Sequence, residues 1–344
     1  MSTITPHRSI GLPQPRLHRF QKPRLKSHLF PLHSSKENSA SISTSTSTST
    51  SFEKQGAEEG IPIEDVTVLA KFQSRHNHIR VLEVSRRADH PLAGSRLLLL
   101  DTPGNIHSIS HLFNPLTSSY LDVFATLPPI IPSGPIAILG FGAGSAARLI
   151  LNLYPKTIIH GYELDPSVIS VAREFFGLFK LEKQYRNQIS ISVSDAIEAI
   201  PTMADGFYSG ILVDLFLKGS VIPPLQDKDT WKELKKKLDK NGRIMVNCGG
   251  RCVESEDPRR DGNVVKEETL KAMSEVFGKD KLFVLNLGGT KEEDSWVGLT
   301  GDLPDLEGWK GILPTALRCY VDMWKPYINV RNKYKYIRNE CISE

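Results

Sequence analysis

Apolar and polar positions alternate with a period of two through His78-Ile-Arg-Val-Leu-Glu-Val84, and Arg96-Leu-Leu-Leu-Leu100 is a short apolar run. The stretch between them, Arg86 to Gly94, reads as the connection of a hairpin. A turn, Asp101-Thr-Pro-Gly-Asn-Ile-His107, follows, then a helical pattern over 116–127. Pro128, Pro129, Pro132 and Pro135 punctuate the junction to the next region. Beyond it the pattern alternates between short apolar runs and helical spacing. An apolar run enters Gly140-Phe-Gly-Ala-Gly144, and a second, Thr157-Ile-Ile-His-Gly-Tyr162, ends at Glu163. A helix is expected over 166–176, with Pro166 in its first turn where a missing N–H is harmless. Strands ending at Asp195 and Asp214, a helix over 228–238, a strand over 242–248 and a helix over 267–277 complete the alternation. The runs 281–287 and 295–300 leave no room for a helix between them and predict an antiparallel pair at the edge of the sheet. This order predicts an α/β fold: a doubly wound, mostly parallel Rossmann-like sheet with an antiparallel last hairpin, preceded by a small N-terminal β-hairpin domain. No internal repeat is visible.

Composition splits the chain. Up to Ser51 there are seven Lys or Arg against one acid, Glu37, and the segment closes on an alternating Ser/Thr tract, Ser43 to Ser51. A basic, hydroxyl-rich, acid-poor leader predicts an organelle transit peptide, for the chloroplast ahead of the mitochondrion. The alternative is an unaddressed disordered tail, because Ser/Thr repeats bury too little surface to fold. The whole chain carries +4, and that excess comes from the leader, so the basic isoelectric point argues for no nucleic-acid partner. The lysines of 232–240 fall on an amphipathic pattern and read as a solvated helix face. No apolar run approaches the ~18 residues of a membrane span, so no membrane partner is expected. Cys248, Cys252, Cys319 and Cys341 lack metal-ligand spacing and read as incidental thiols. The expected organisation is a leader at 1–51, a small β domain at 52–132, a nucleotide-binding domain at 133–328 and a solvated basic tail at 329–344.

Candidate chemistry gathers at strand ends. In open α/β sheets, ligands bind beyond the carboxyl ends of the strands. Gly140, Gly142, Gly144, Glu163, Asp195 and Asp214 all fall there. Glycines let backbone approach a ligand, and an acid about 20 residues on accepts from ribose hydroxyls. The dinucleotide fingerprint wants a third glycine where Ser145 stands. Gly-x-Gly-x-Gly is instead the spacing typical of S-adenosylmethionine enzymes. Asp165 before Pro166 reads as a helix cap, and Asp195 as a cap, an adenine contact or both.

The chain resembles the spermidine synthases, within the S-adenosylmethionine-dependent methyltransferase superfamily, and looks like a plant, plastid-targeted member of that group. The resemblance spans roughly 66–325. It rests on the apolar strand into the glycines, Tyr162-Glu-Leu-Asp-Pro166, Ser194-Asp-Ala196, Ile211-Leu-Val-Asp214, Leu313-Pro-Thr-Ala-Leu317 and Trp324-Lys-Pro-Tyr327. It implies that Gly140, Gly142, Gly144, Glu163 and Asp195 hold an adenosyl group, and it suggests a homodimer.

The departures lie in the substrate half. Spermidine synthases carry Asp-x-x-Asp where this chain has Asp214-Leu-Phe-Leu217, and an Asp inside the glycine loop where it has Ala143. Their glutamines are absent from Ser74-Arg-His-Asn-His78 and from Asp101–His107. An Asp in the loop suits decarboxylated S-adenosylmethionine and repels the carboxylate of the intact form, so Ala143 favours S-adenosyl-L-methionine itself. The leading expectation is a methyltransferase on a spermidine synthase scaffold, acting on a small-molecule acceptor, with Asp214 as the catalytic base or acceptor-orienting group and no metal. His107 and Tyr120, from the N-terminal domain that would roof the site, are further candidates; the alternatives are a turn or core hydrogen-bonding role for His107 and helix packing for Tyr120. The alternatives are an aminopropyltransferase using Asp227 or Asp229, and a non-catalytic ligand-binding descendant.

Overall fold

The computed structural model describes residues 61–111, 115–250, 253–288 and 295–328. The leader at 1–51 and the tail at 329–344 lie outside the described residues. The N-terminal pattern builds more than a hairpin. Strands β1 (Val66–Gln73), β2 (His78–Val84), β3 (Ser95–Leu99) and β4 (Ile106–His111) form a four-stranded antiparallel sheet in chain order. Alternation divides its side chains between two cores. Leu82, Val84, Leu97, Leu99 and Ile109 close a small cluster of their own, whereas Ile79, Val81 and Leu98 join the main core. One face of this sheet is therefore fused to the larger domain, and strand β4 is positioned to reach the glycine turn.

The second sheet has eight strands: β5 (Ile136–Leu139), β6 (Ile159–Glu163), β7 (Ile189–Val193), β8 (Tyr208–Val213), β11 (Leu238–Gly249), β12 (Leu282–Asn286), β13 (Trp296–Thr300) and β14 (Lys325–Pro326), with β9 (Phe216–Leu217) and β10 (Ser220–Val221) forming a separate hairpin. The order is β14-β12-β13-β11-β8-β5-β6-β7. Strands β11, β8, β5, β6 and β7 are parallel, and β13 is inserted antiparallel between β11 and β12. Every residue of β5 and β8 is buried, which is why these strands read as continuous apolar runs. Helices α2 (Ser145–Leu153) and α3 (Pro166–Phe175) pack in one core, and α6 (Lys228–Lys237) and α7 (Gly262–Phe277) in another.

Several elements depart from the sequence pattern. The helix expected over 116–127 is only α1 (Tyr120–Phe124). Ser119 caps it, and the Asp122 carboxylate reaches back to the N–H groups of Thr117 and Ser118, both at 2.8 Å. That capping fixes the start at Tyr120 and leaves 116–119 non-helical. The lysine-rich helix is not a wholly solvated face. Lys237 is buried and pairs with Asp205 at 2.6 Å, and β11 begins at the next residue. Helices α4 (Leu178–Gln184) and α8 (Leu306–Ile312) and the hairpin β9 (Phe216–Leu217) with β10 (Ser220–Val221) were not legible. Among the described residues, no helix is long and apolar enough to cross a membrane.

Gly161 shows why one core glycine is needed. A Cβ at this position would overlap the ring of Phe141, which lies buried between Gly161 and Gly144. Gly161→Ala should therefore destabilise the protein by about 1–3 kcal/mol through overpacking, read as a lower urea midpoint at unchanged slope.

Candidate functional site

Gly140, Gly142 and Gly144 have φ of 85°, 55° and 77°, a run that side-chain-bearing residues rarely adopt. The contacts around them are specific. A Cβ on Gly140 would overlap the Asp214 carbonyl, and one on Gly142 would lie 2.8 Å from Ser108 Oγ. The Gly142 N–H donates to Glu163 Oε2 at 2.8 Å, and the Ala143 N–H donates to Ser108 Oγ at 3.0 Å. Ser145 Oγ donates to the Ile109 carbonyl at 2.8 Å and accepts from the Ile109 N–H at 3.1 Å. The turn is thus gripped by β6 on one side and by β4 of the small sheet on the other. Ser145, which stands where a dinucleotide-binding turn would have its third glycine, makes the second of these joints.

A cavity of about 430 Å³ opens beside the turn. Gly140, Gly142, Glu163, Asp195 and Asp214 all line it, together with apolar Leu164, Ile197, Ile222 and Pro223. Gly144 does not line it. It caps α2 in the left-handed conformation and faces Phe141. Asp195 caps helix α5 (Ala196–Ala199) through the Ile197 N–H at 2.8 Å, with its carboxylate at the cavity wall. The β1–β2 turn closes one end with His76 and Asn77. That turn is tied down by Asp165, which accepts from Ser74 Oγ and from Asn77 Nδ2 (2.8 Å) while capping α3 through the Ser167 N–H (2.9 Å). The capping role read for Asp165 holds, with a bridge to the small sheet added.

A second cavity of about 410 Å³ shares His107, Asp214 and Phe216 with the first. Tyr120, Asn247, Asn105, Val253 and Glu254 contribute to its walls. Asp214 is the joint between the two spaces. Its Oδ2 accepts from the Tyr120 hydroxyl at 2.7 Å and its Oδ1 from Asn247 Nδ2 at 3.0 Å. Burial outweighs both hydrogen bonds and pushes the Asp214 carboxyl up to about 6. Burial also raises the Glu163 carboxyl, against the N–H groups of Asp165 and Gly142 that favour its charge. His107 is lowered, chiefly by burial, although Asp101 lies 3.7 Å from its Nε2 and the Asn105 carbonyl 2.8 Å from its Nδ1. Asn247 had no signature in the sequence, because its role depends on β11 lying beside β8.

The other sequence candidates lie apart. Asp227 caps α6, and Asp229 pairs with Lys232 at 2.6 Å on the surface; neither lines the cavities. Leu217 lines the first cavity, and Ala143 is fully buried. Cys248 is buried and Cys319 exposed; Cys252 and Cys341 lie outside the described residues. No described group of His, Cys, Asp and Glu has the arrangement to hold a metal ion. No described Lys or Arg lines either cavity. An adenosyl group fits the first cavity: a carboxylate at the second strand end, the glycine backbone of Gly140 and Gly142 in the wall, and an apolar slot by Leu164, Ile197 and Pro223.

Solved structures decide the scaffold. A probable spermidine synthase from Corynebacterium glutamicum superposes with a TM-score of 0.54 over 73% of this chain and 93% of that one, at 16% identity. The Thermotoga maritima spermidine synthase gives 0.53 over 76% of this chain and 80% of that one, also at 16% identity. The fold is that of the spermidine synthases. No family model matches. In sequence, the chain is 30% identical over 80 residues to an eEF1A lysine and N-terminal methyltransferase of Bos taurus, covering 23% of this chain and 11% of that protein. It is 23% identical over 176 residues to a probable polyamine aminopropyl transferase of Bifidobacterium longum, covering 51% of this chain and 36% of that protein. The chain thus spans well under two thirds of these relatives. On the spermidine synthase fold, the glycine turn and the two cavities occupy the carboxyl end of the parallel strands.

The raised carboxyl of Asp214 has a pH signature. A carboxyl with a higher value folded than unfolded binds its proton more tightly in the native state, so its contribution to stability grows as pH falls from about 6 toward 4. The unfolding free energy of the wild type should gain on the order of 2–3 kcal/mol over that window relative to Asp214→Asn. Parallel urea titrations at pH 7 and pH 4 check this, and equal pH slopes in the two proteins would contradict it.

Proposed function

We propose that the protein is an S-adenosyl-L-methionine-dependent methyltransferase built on the spermidine synthase scaffold. The observation that carries this reading is the meeting of two cavities at Asp214, with a fully buried Ala143 and an apolar Leu217 where polyamine-making enzymes have carboxylates. Glu163 takes the ribose hydroxyls, while Asp195 and the apolar slot beside Ile197 take the adenine. When bound, the cofactor supplies an electrophilic methyl group on a sulfonium. Transfer is an in-line displacement, so the task of the chain is alignment in a space closed to water. The acceptor sits in the second cavity, between Tyr120, Phe216 and Asn247. Asp214, held by Tyr120 and Asn247, orients the acceptor and takes its proton where the nucleophile has one to lose. With a carboxyl near 6, it is mostly ionised at neutral pH and competent as a base.

One observation favours a second reading. Glu163, Asp195, Glu198, Asp214 and Glu254 line the two cavities, with no described Lys or Arg among them. That field suits the doubly cationic decarboxylated cofactor and an amine acceptor, as in an aminopropyltransferase. The polyamine-type relatives support this alternative, and the methyltransferase relatives support the first. A ligand-binding descendant without catalysis is the third outcome, consistent with apolar Leu215-Phe216-Leu217.

Calorimetric titration of residues 52–344 with intact and decarboxylated S-adenosylmethionine separates the three. Tighter binding of the intact form supports the methyltransferase, tighter binding of the decarboxylated form supports aminopropyl transfer, and silence from both contradicts a transferase. Gly142→Asp should abolish binding in either enzymatic reading. It crowds Ser108 and sets a second carboxylate beside Glu163, and unchanged affinity would move the site elsewhere. For the leader we propose a plastid address. A fluorescent fusion of residues 1–55 should enter the organelle, and retention in the cytosol would contradict the address.

A further inference from the structure

The second cavity has a wall that no catalytic role accounts for. Residues 253–256 run between two other loops and are tied to both. On one side, Asn105 grips the main chain of Glu254 with both ends of its amide: Nδ2 donates to the Glu254 carbonyl at 2.8 Å, and Oδ1 accepts from the Glu254 N–H at 3.0 Å. Beside it, the Thr102 N–H donates to Glu256 Oε1 at 2.9 Å. On the other side, the Glu256 N–H donates to the Lys218 carbonyl at 2.9 Å, at the turn of the β9–β10 hairpin. That turn carries two positive φ values, 52° at Lys218 and 69° at Gly219. Gly219 allows the closest approach, since a Cβ there would overlap the Glu254 carbonyl and lie 2.8 Å from Asn105 Nδ2.

Asn105 is itself fixed. Its Nδ2 also donates to Asp101 Oδ2 at 2.6 Å, its N–H donates to Asp101 Oδ1 at 3.0 Å, and its carbonyl faces His107 Nδ1 at 2.8 Å. One amide side chain therefore joins the Asp101–His107 turn, the 253–256 strap and, through Gly219, the hairpin. The hairpin matters to both ligands. Phe216 lines both cavities and Leu217 the cofactor cavity, while Val253 and Glu254 line the acceptor cavity.

We propose that Asn105 is a positioning residue that pins the 253–256 strap shut over the acceptor cavity, and that this pin also sets the hairpin wall of the cofactor cavity. The strap is held by four hydrogen bonds from main-chain and amide groups and by one close backbone approach. Such a segment opens locally at far lower cost than global unfolding. Opening releases the acceptor side and loosens Phe216 together, so exchange of one ligand is coupled to the grip on the other. The ligand part of this inference rests on the cofactor assignment above; the strap itself does not.

The test uses the full chain and two variants that break the latch from opposite sides, Asn105→Ala and Gly219→Ala. Hydrogen exchange is followed at the amides of Glu254 and Glu256, and S-adenosylhomocysteine is the kinetic probe. Both variants should speed exchange at these two amides about tenfold or more while the β5 and β8 amides keep their protection. Both should also raise the dissociation rate of S-adenosylhomocysteine several-fold, whereas Arg259→Ala, on the neighbouring surface, should do neither. If either variant fails to fold, the other decides. Exchange at Glu254 and Glu256 unchanged from wild type would overturn the proposal. Faster exchange with an unchanged S-adenosylhomocysteine rate would overturn its coupling to the cofactor cavity. A wild type that binds no S-adenosylhomocysteine counts against the cofactor assignment, and the exchange rates then decide the strap alone.

Discussion

The hydrogen bond from the Gly142 N–H to the Glu163 carboxylate is the constraint on which the rest of the site depends. It holds a turn with three positive φ values against the tip of the neighbouring strand. The same carboxylate accepts from the Asp165 N–H, so one buried acid orients the glycine turn and the start of α3 together. A buried carboxylate is costly unless hydrogen-bonded, and here two backbone donors offset part of that cost while Glu163 keeps its place in the cavity wall. Around this joint the small sheet closes in. Ser108 takes the next amide of the turn, and Ser145 ties Ile109 to α2. The small sheet is thereby part of the site, not an appendage to it.

On the proposed function, that coupling accounts for a spermidine synthase scaffold whose chemistry changes while its nucleotide end stays fixed. The glycine turn, Glu163 and Asp195 are set by strands β5, β6 and β7 and their immediate turns. The transfer end is assembled from separate pieces: Tyr120 from a short helix, Asn247 from β11, Phe216 from a two-residue strand, and Asn105 from a loop of the small sheet. Asp214 bridges the two regimes, since its backbone packs on Gly140 while its side chain joins Tyr120 and Asn247.

What the sequence made legible follows the same division. The buried strands β5 and β8 announced themselves as apolar runs and β6 and β7 as alternating ones, and the ends of β6, β7 and β8 located Glu163, Asp195 and Asp214 at one cavity. Loop-built features had no period to betray them. The β9–β10 hairpin is too short for alternation to register, and Asn247 becomes a site residue only through the pairing of β11 with β8. The helix over 116–127 was overextended because Asp122 reaches backward to cap it, a contact that apolar spacing does not encode. Gly144 carries the motif yet serves α2 and Phe141, because the third glycine of the turn points away from the cavity.

The central claim is that an adenosyl ligand lies in the cavity walled by the glycine turn and Glu163, with its transfer end at Asp214. A crystal structure of the protein with S-adenosylhomocysteine tests it most directly. The account predicts ribose hydroxyls on the Glu163 carboxylate, adenine between Leu164, Ile197 and Pro223, and the sulfur facing Asp214. Ligand bound elsewhere, or bound here with its ribose away from Glu163, would contradict it.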